Sequence, residues 1–486
     1  MFKGKISPVF HANFQLFTIL LLVVGVVCSK FLMSLGLLFG GIGFLIERDF
    51  KNYWQQLKSN RLFWFLLGFY LLHFVGLIWS KNLDYGLNDI RVKFSLLAIA
   101  LIICTRPPLS KNHLTIFYLI FVLALFTTSL VNFICYQFFQ AKINYIDIRD
   151  LSLFGSHIRF GILIALGVLA NYSLWNLRSK FRWFWILSLF WFVFYTYYSQ
   201  VLSGVISIAV VVFVLLIWEL YQRRKWMIII GTLLLLAVVN IGLIVYLSKP
   251  INQKSAFQQN YVSLKQEWNK RAKIPYDSLD LRKQHVRFTI ERYLISKNLP
   301  IRGESVSKLS TIDIENIEKG YADINETKSG LIARLYGLRF QIHNTQNPSG
   351  HSLLERLEFW KTAILIIKEN LFFGVGTGDV NDSFLNKYEE TNSPLTVERR
   401  LRAHNTYLTE TVSFGLFGFL FFVTWMFYFL YQQVKFQQVF GFVFILVGIV
   451  TFLIEDTLET QMGVTFFALF YAVFSRNLES DSKVKM

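Results

Sequence analysis

Cysteine is nearly missing from this chain: three residues in 486, at positions 28, 104 and 135. All three fall in apolar runs, and the hydrophilic stretch from about 249 to 403 has none, so neither a disulfide framework nor a Cys-based metal site is available there. Charge is also scarce, at 16% of residues, against 54% hydrophobic residues and 50 Phe. With a mean hydropathy of +0.44, that composition excludes a soluble protein. The first apolar run has no small-residue cleavage site after it and is followed by further runs, so it reads as a retained helix rather than a removed signal peptide. No internal repeat or low-complexity tract is present.

Acidic residues are outnumbered, 31 to 49, for a formal net charge of +18. The excess has the look of a nucleic-acid signal, but its distribution argues against one. About a dozen windows approach the roughly 20 apolar residues that a spanning helix needs: 13–30, 32–47, 61–80, 93–105, 112–138, 157–175, 183–200, 201–220, 226–247, 406–431, 437–454 and 459–475. With the N-terminus inside, the cytoplasmic connections hold Arg48, Lys51, Lys58 and Arg61, then Arg106 and Lys111, then Arg178, Lys180 and Arg182, then Arg223, Arg224 and Lys225, then Lys435 and Arg476. The opposite loops are poorer in Lys and Arg. Positive-inside bias thus accounts for the charge without a polyanion partner. The expected fold is an all-α polytopic membrane protein of about 12 spans, with both termini cytoplasmic.

Two helical blocks flank one hydrophilic insertion. Residues 1–247 carry nine spans, 248–405 form an outer loop domain, 406–475 carry three more spans, and 476–486 are a cytoplasmic tail. The insertion is long enough to be a small domain. Its first half (Gln258–Lys297, then Ser310–Ile324) is charged with helical periodicity, as in Tyr261, Leu264 and Trp268, and Pro250, Pro275, Pro300 and Pro348 punctuate it. Further on, Leu353, Leu354, Leu357, Trp360, Ala363, Ile364 and Ile367 recur at three and four residues. That spacing predicts an amphipathic helix suited to the outer headgroup layer.

The residues with chemical potential gather at the end of the insertion. Arg399-Arg400-Leu401-Arg402-Ala403-His404-Asn405 stands directly ahead of the span from about 406. A histidine there can take a proton from a hydroxyl near neutral pH, and guanidiniums can pair bidentately with phosphate oxygens and hold a departing pyrophosphate. Two readings fit: a catalytic base beside a diphosphate clamp, or a cationic anchor to headgroups. Upstream, Gly374-Val375-Gly376-Thr377-Gly378-Asp379 lacks the ending of a P-loop and the strand of a dinucleotide fingerprint. It reads as a turn between helices, with a weaker reading as an anion nest, and Asp379 with Asp382 is a weak cation signal. Ionisable residues within spans are functional candidates by default: His73, Arg159, Glu219 and Glu410. Arg159, in Gly155-Ser156-His157-Ile158-Arg159-Phe160-Gly161, is the foremost second-site candidate because it falls on the outer side. Helical geometry gives no direct pairing of Glu410 with His404.

His404-Asn405, nine residues, then Gly415-Leu416-Phe417-Gly418 resembles the His-Asn/Ser/Gln-x9-Gly-x-x-Gly signature of the bacterial O-antigen ligase and polymerase family. The two glycines, three apart, would let another helix pack closely. Arg356-Leu357-Glu358-Phe359-Trp360 through Gly374–Asp379 is similar to the block that precedes this His in many members, those of Bacteroidetes type in particular. His73-Phe74-Val75-Gly76-Leu77-Ile78-Trp79-Ser80-Lys81-Asn82, with Lys93 following, is similar to their third-span region.

The resemblance implies an inner-membrane, GT-C-like glycosyltransferase that moves an undecaprenyl-diphosphate-linked glycan onto an acceptor hydroxyl, a lipid A-core sugar, at the periplasmic face, without metal or cofactor. It implies His404 as the base, and Arg400 or Arg402 at the donor diphosphate beside Arg399. One departure matters: members often carry an Arg in a Ser-Arg-x-Gly-like stretch of a middle span, and Leu202-Ser203-Gly204 has none. Arg159 or a loop residue such as Arg287 then supplies that charge, or the donor contacts differ. A polymerase or a protein O-glycosylating enzyme with the same chemistry is the alternative within the family. A transporter is disfavoured, because the halves show no convincing repeat and charges cluster at one interface rather than near the midplane.

Overall fold

The structure is a computed structural model that describes residues 8–139, 143, 145, 148–177, 181–249, 260–282, 284–324, 335, 338–339, 341–343, 348–349 and 352–482. Arg178, Lys180, Pro250, Gln258 and the last tail residues, 483–486, lie outside the described residues. Among those described there is no strand, only an antiparallel bridge between Leu279 and His285.

Every apolar window coincides with a helix. In chain order these are α1 (Pro8–Cys28), α2 (Lys30–Glu47), α3 (Phe50–Ser59), α4 (Arg61–Gly76), α5 (Leu83–Cys104), α6 (Lys111–Phe138), α7 (His157–Leu177), α8 (Arg182–Tyr198), α9 (Leu202–Gln222) and α10 (Trp226–Ser248). The hydrophilic insertion adds α11 (Tyr261–Arg271), α12 (Val286–Ser296), α13 (Gly303–Ser307), α14 (Thr311–Glu318), α15 (Ser352–Glu369) and α16 (Val380–Glu390). Then come α17 (Thr406–Lys435), α18 (Val439–Thr451) and α19 (Gln461–Ser482). By length and composition 7 helices in the described residues are able to cross a membrane: α1, α2, α6, α7, α9, α10 and α17. α4 and α18 are apolar but shorter, at 16 and 13 residues. The protein is thus a multi-pass helical membrane protein. α3, an amphipathic helix between two spans, has no counterpart among the expected elements; its buried residues are Tyr53 and Leu57.

Short polar caps separate consecutive helices. Asn60, Asn82, Ser110 and Asn405 each accept a hydrogen bond from a backbone N–H of the helix they open, which is what lets tightly connected helices start without orphaned donors. The many phenylalanines fill one continuous core in which α1, α4 to α8 and α17 to α19 interlock. Some of its polar groups pair within it: Trp425 Nε1 donates to Tyr471 Oη at 2.7 Å, and Tyr471 Oη donates to Leu62 O at 3.0 Å, whereas Gln433, Ser207 and Thr465 keep buried atoms without a hydrogen-bond partner among the described residues.

The first part of the insertion has a core of its own. Leu264, Trp268, Val286, Ile290, Tyr293, Leu294, Val306 and Ile317 close against one another, as the helical periodicity predicts. Asp313 organises this unit. Its carboxylate accepts from Tyr293 Oη, Lys297 Nζ and both the N–H and Oγ of Ser310. Burial works against the charge, but these donors outweigh it and bring the carboxyl down to about 2.

A depressed carboxyl stabilises the fold above its unfolded value of about 3.8, and that contribution is lost as the pH falls through about 2. Asp313→Asn is therefore expected to cost about 2 kcal/mol near neutrality. Hydrogen exchange at the amides of α12 should be faster in the variant at pH 7, with the difference closing toward pH 2.

Candidate functional site

The segment leading into α17 is held at every step. Tyr388 Oη donates to Leu401 O at 2.7 Å, and Trp360 Nε1 donates to Ala403 O at 3.0 Å. Asn405 caps α17 through Leu408 N (3.1 Å), while its Nδ2 donates to Leu453 O (3.1 Å) in the connection between α18 and α19. Thr406 donates from its N–H to Phe452 O and from Oγ1 to Glu455 O, each at 2.8 Å. Between them His404 takes a left-handed backbone, φ +47°. For a non-glycine residue this is a strained conformation costing on the order of 1–3 kcal/mol, and it persists only where surroundings enforce it.

The enforcing partner is Asp456. Its Oδ2 accepts the His404 N–H at 3.0 Å, and its Oδ1 accepts Thr409 Oγ1 at 2.9 Å. The His404 ring rests 5.7 Å from that of Phe359 on α15. Burial lowers the imidazole's proton affinity; Asp456 pulls the other way, and the guanidiniums of Arg356, Arg402 and Arg159 lower it further. The net effect is a ring held below its ordinary value and therefore neutral at physiological pH. Asp456 itself is raised, by burial and by nearby Glu459.

A second line of charge runs beneath. Arg402 pairs with Glu459 at 2.7 Å and donates to Tyr85 Oη at 3.0 Å. Glu459 meets Lys93 at 2.9 Å, and Lys93 meets Asp89 at 2.6 Å. Asp89 lies 4.0 Å from His73 Nε2, and His73 Nδ1 donates to Phe69 O at 2.9 Å. Burial opposes the charge of Glu459, but Lys93 and Arg402 outweigh it and keep the carboxylate ionised far below the usual range. Glu410, 1% exposed, faces this cluster with Oε1 unbonded among the described residues.

The arginines of the mouth separate into distinct roles. Arg402 is neutralised by Glu459; Arg400 turns to Glu389 (4.0 Å) and Arg399 to Glu355 (3.7 Å). Arg287 lies 4.6 Å over Phe288 in the insertion's own unit. Arg159 reaches the site and meets Glu455 at 3.6 Å. Arg356, on α15, makes no ion pair among the described residues; Nη1 bonds its own helix at Ser352 O (3.2 Å), and the Nε of both Arg356 and Arg159 is buried without a partner. Of the cationic candidates, then, Arg402, Arg159 and Arg356 gather at His404.

The glycine motif works differently from the close helix packing expected of it. α17 is broken at Gly415, which sits at φ +65°, ψ −159°. A Cβ there would lie 2.3 Å from the Phe372 backbone. The break frees two carbonyls and one N–H, and the chain after α15 takes them up: Val375 N donates to Val412 O and Gly376 N to Ser413 O (each 2.9 Å), and Leu416 N donates to Leu371 O (2.7 Å). At Gly418 a Cβ would strike Phe414 Cβ at 2.2 Å, so this glycine accommodates its own bent helix.

The Gly374–Asp379 stretch is a clamp rather than an anion nest. The backbone donors from Gly374 to Gly378 are all engaged: Gly374 N with Asn370 O, Thr377 N with Gly76 O and Gly378 N with Ser80 Oγ, besides the two bonds to α17. Asp379 accepts from the backbone of Lys81 and Asn82, and Asp382 accepts from Asn82 Nδ2, so these carboxylates tie the connection between α4 and α5 to the start of α16.

α15 runs alongside the first turns of α17 and in the same direction, burying Leu354, Phe359, Thr362, Ala363 and Ile366; Leu357 and Ile364 of the expected stripe remain exposed at 49% and 45%. The carboxylates Asp456 and Glu459 escaped sequence reasoning altogether. Their signal was Glu455-Asp456-Thr457-Leu458-Glu459, three acids crowded into one connection between apolar runs.

Residues 187–423 match the family model described as O-antigen ligase. The match spans 237 of the chain's 486 residues, and over it the chain is similar to O-antigen ligases. No curated protein matches it. An O-antigen ligase family member is a glycosyltransferase-like enzyme of ligase or polymerase type, acting on glycans and lipid-linked substrates. The matched stretch holds Arg356, His404 and both motif glycines, whereas Lys93, Arg159, Asp456 and Glu459 lie outside it and are brought in by the fold.

Two outcomes follow. Gly415→Ala should abolish the properly folded protein, seen as loss of a monodisperse gel-filtration peak, because both φ and space forbid a side chain. Carbethoxylation of His404 by diethyl pyrocarbonate, followed by mass spectrometry, should show a midpoint below pH 6.5; Asp456→Asn should move it lower and Arg356→Gln higher, since each removes a charge acting in the opposite sense.

Proposed function

We propose that this protein transfers a glycan from a polyprenyl diphosphate, undecaprenyl diphosphate in bacteria, to an acceptor hydroxyl, with a lipid A-core sugar as the acceptor. The carrying observation is His404: a neutral imidazole in a strained backbone, fixed by a buried aspartate and surrounded by guanidiniums. A side chain positioned at such cost is explained by a task in proton transfer rather than by anchoring to headgroups.

In this reading the acceptor oxygen gives its proton to the His404 ring and attacks the anomeric carbon. The bond from that carbon to the diphosphate oxygen breaks, and the lipid diphosphate leaves with the electron pair. A single displacement inverts the anomeric configuration. Asp456 acts by positioning His404 and by stabilising the imidazolium that forms. The leaving diphosphate needs cations that are not already spent. Arg356, with no ion pair among the described residues and only a longer-range interaction with Glu455, and Arg159, only loosely paired with Glu455, meet that requirement better than Arg402, Arg400 or Arg399. Arg402, locked to Glu459, serves to hold the segment that carries His404. The active site faces the periplasm, on the side opposite the Lys- and Arg-rich loops.

His404→Ala should remove the base and lower transfer by at least about 10²-fold. In cells the lipopolysaccharide ladder should vanish while lipid-linked glycan accumulates; a normal ladder at normal protein level would refute the assignment. The deletion strain separates the acceptors: bare core marks a ligase, core with one repeat marks a polymerase, and loss of glycoprotein alone marks a protein-directed enzyme.

A further inference from the structure

α17 has 30 residues, about 45 Å of helix, whereas a bilayer core is about 30 Å thick. The surplus is all at one end. From Phe414 to Tyr431 the sequence carries no Asp, Glu, Lys, Arg or His, while the turns before it hold Thr406, Thr409, Glu410, Thr411 and Ser413. The change of composition coincides with the Gly415 break, and Leu416–Lys435 alone is about 20 residues, one bilayer crossing. α4 ends at the same level: its last residue, Gly76, accepts the N–H of Thr377 one residue beyond the bond from Gly376 to Ser413.

At that level four aromatic rings stand outward together. Phe417, Phe373 and Phe372 are 59%, 64% and 56% exposed, and Trp79 is 37% exposed. Phe373 lies 5.5 Å from Phe417 and 6.4 Å from Trp79, and Phe372 lies 6.4 Å from Phe417. Ile78, 80% exposed, and Leu371, 45% exposed, extend the apolar ring. The turn carrying Phe372 and Phe373 is irregular backbone, which lipid hydrocarbon does not accept, so the turn itself belongs at the headgroup edge with its rings reaching into the hydrocarbon. Aromatic residues gather where hydrocarbon gives way to headgroups.

We infer that the outer hydrocarbon boundary of the bilayer lies at the Gly415 break, gripped by Trp79, Phe372, Phe373 and Phe417. The first turns of α17 and the whole of α15 and α16 then stand above that boundary. His404 is carried about 13 Å beyond it, by nine residues at 1.5 Å each, at or just past the outer edge of the headgroups. The aromatic turn sets the height of the site: a lipid-borne anion must rise through the headgroup layer to reach His404, and a water-borne hydroxyl meets it there. The inference depends on the membrane-spanning character of α17 and stands whether or not His404 acts as a base.

The test uses the full chain in proteoliposomes, with Cys28, Cys104 and Cys135 replaced by Ser and a nitroxide placed on single cysteines. Labels at Phe372→Cys, Phe373→Cys and Phe417→Cys should collide with oxygen several-fold more readily than with a water-soluble nickel chelate. A label at Ile364→Cys, on the outward face of α15 between the levels of His404 and Gly415, should show the reverse. Nickel-accessible labels at 372, 373 and 417 would overturn the inference. So would an oxygen-dominated label at 364, which would put the boundary at the start of α17. Since none of these readings needs turnover, a failure here is distinct from a failure of the proposed transfer reaction.

Discussion

One carboxylate organises the centre of this protein. Asp456 receives the His404 N–H on one oxygen and the Thr409 hydroxyl on the other, and so fixes a left-handed residue at the exact point where chain becomes helix. Burying an anion there is costly unless it is bonded and balanced. The balance comes from Arg402 and the polarised imidazole, and the cost is shared with Glu459, which Lys93 and Arg402 hold from either side. Distant parts of the chain are joined by this cluster: α5 supplies Lys93 and Asp89, the entry to α17 supplies Arg402 and His404, and the connection before α19 supplies the acids.

A second constraint is the broken α17. A straight helix there would leave the chain after α15 with unpaired N–H groups near the membrane. By opening at Gly415, α17 offers two carbonyls and receives one N–H in return. α15 is thereby docked so that Trp360 holds Ala403, Phe359 meets His404, and Arg356 is aimed at the same space. The signature glycines are therefore part of the apparatus that places the outer helix over the site.

Much of this was legible in the sequence. The windows of apolar residues match helices throughout, and the periodicity of Tyr261, Leu264 and Trp268 does mark a packed unit, with Leu264 and Trp268 fully buried. His404, Asn405 and the glycines were visible because their spacing is short and local. What could not be read was which arginine lacks an ion pair among the described residues. Arg399, Arg400, Arg402 and Arg356 look alike as residues; their difference lies in Glu355, Glu389 and Glu459, carboxylates that only the fold brings near. Asp456 was hidden for the same reason, 52 positions from the histidine it holds. The face of α15 was misjudged because the helix is apolar on two sides, and hydrophobic spacing alone does not say which side meets protein.

The account is tested most directly by an experimental structure of the protein in nanodiscs with undecaprenyl diphosphate bound. It predicts the two phosphorus atoms between Arg356 and Arg159, beside the His404 ring, with Asp456 still accepting the His404 N–H. A diphosphate seated on Arg399 and Arg400 instead, away from His404, would contradict it.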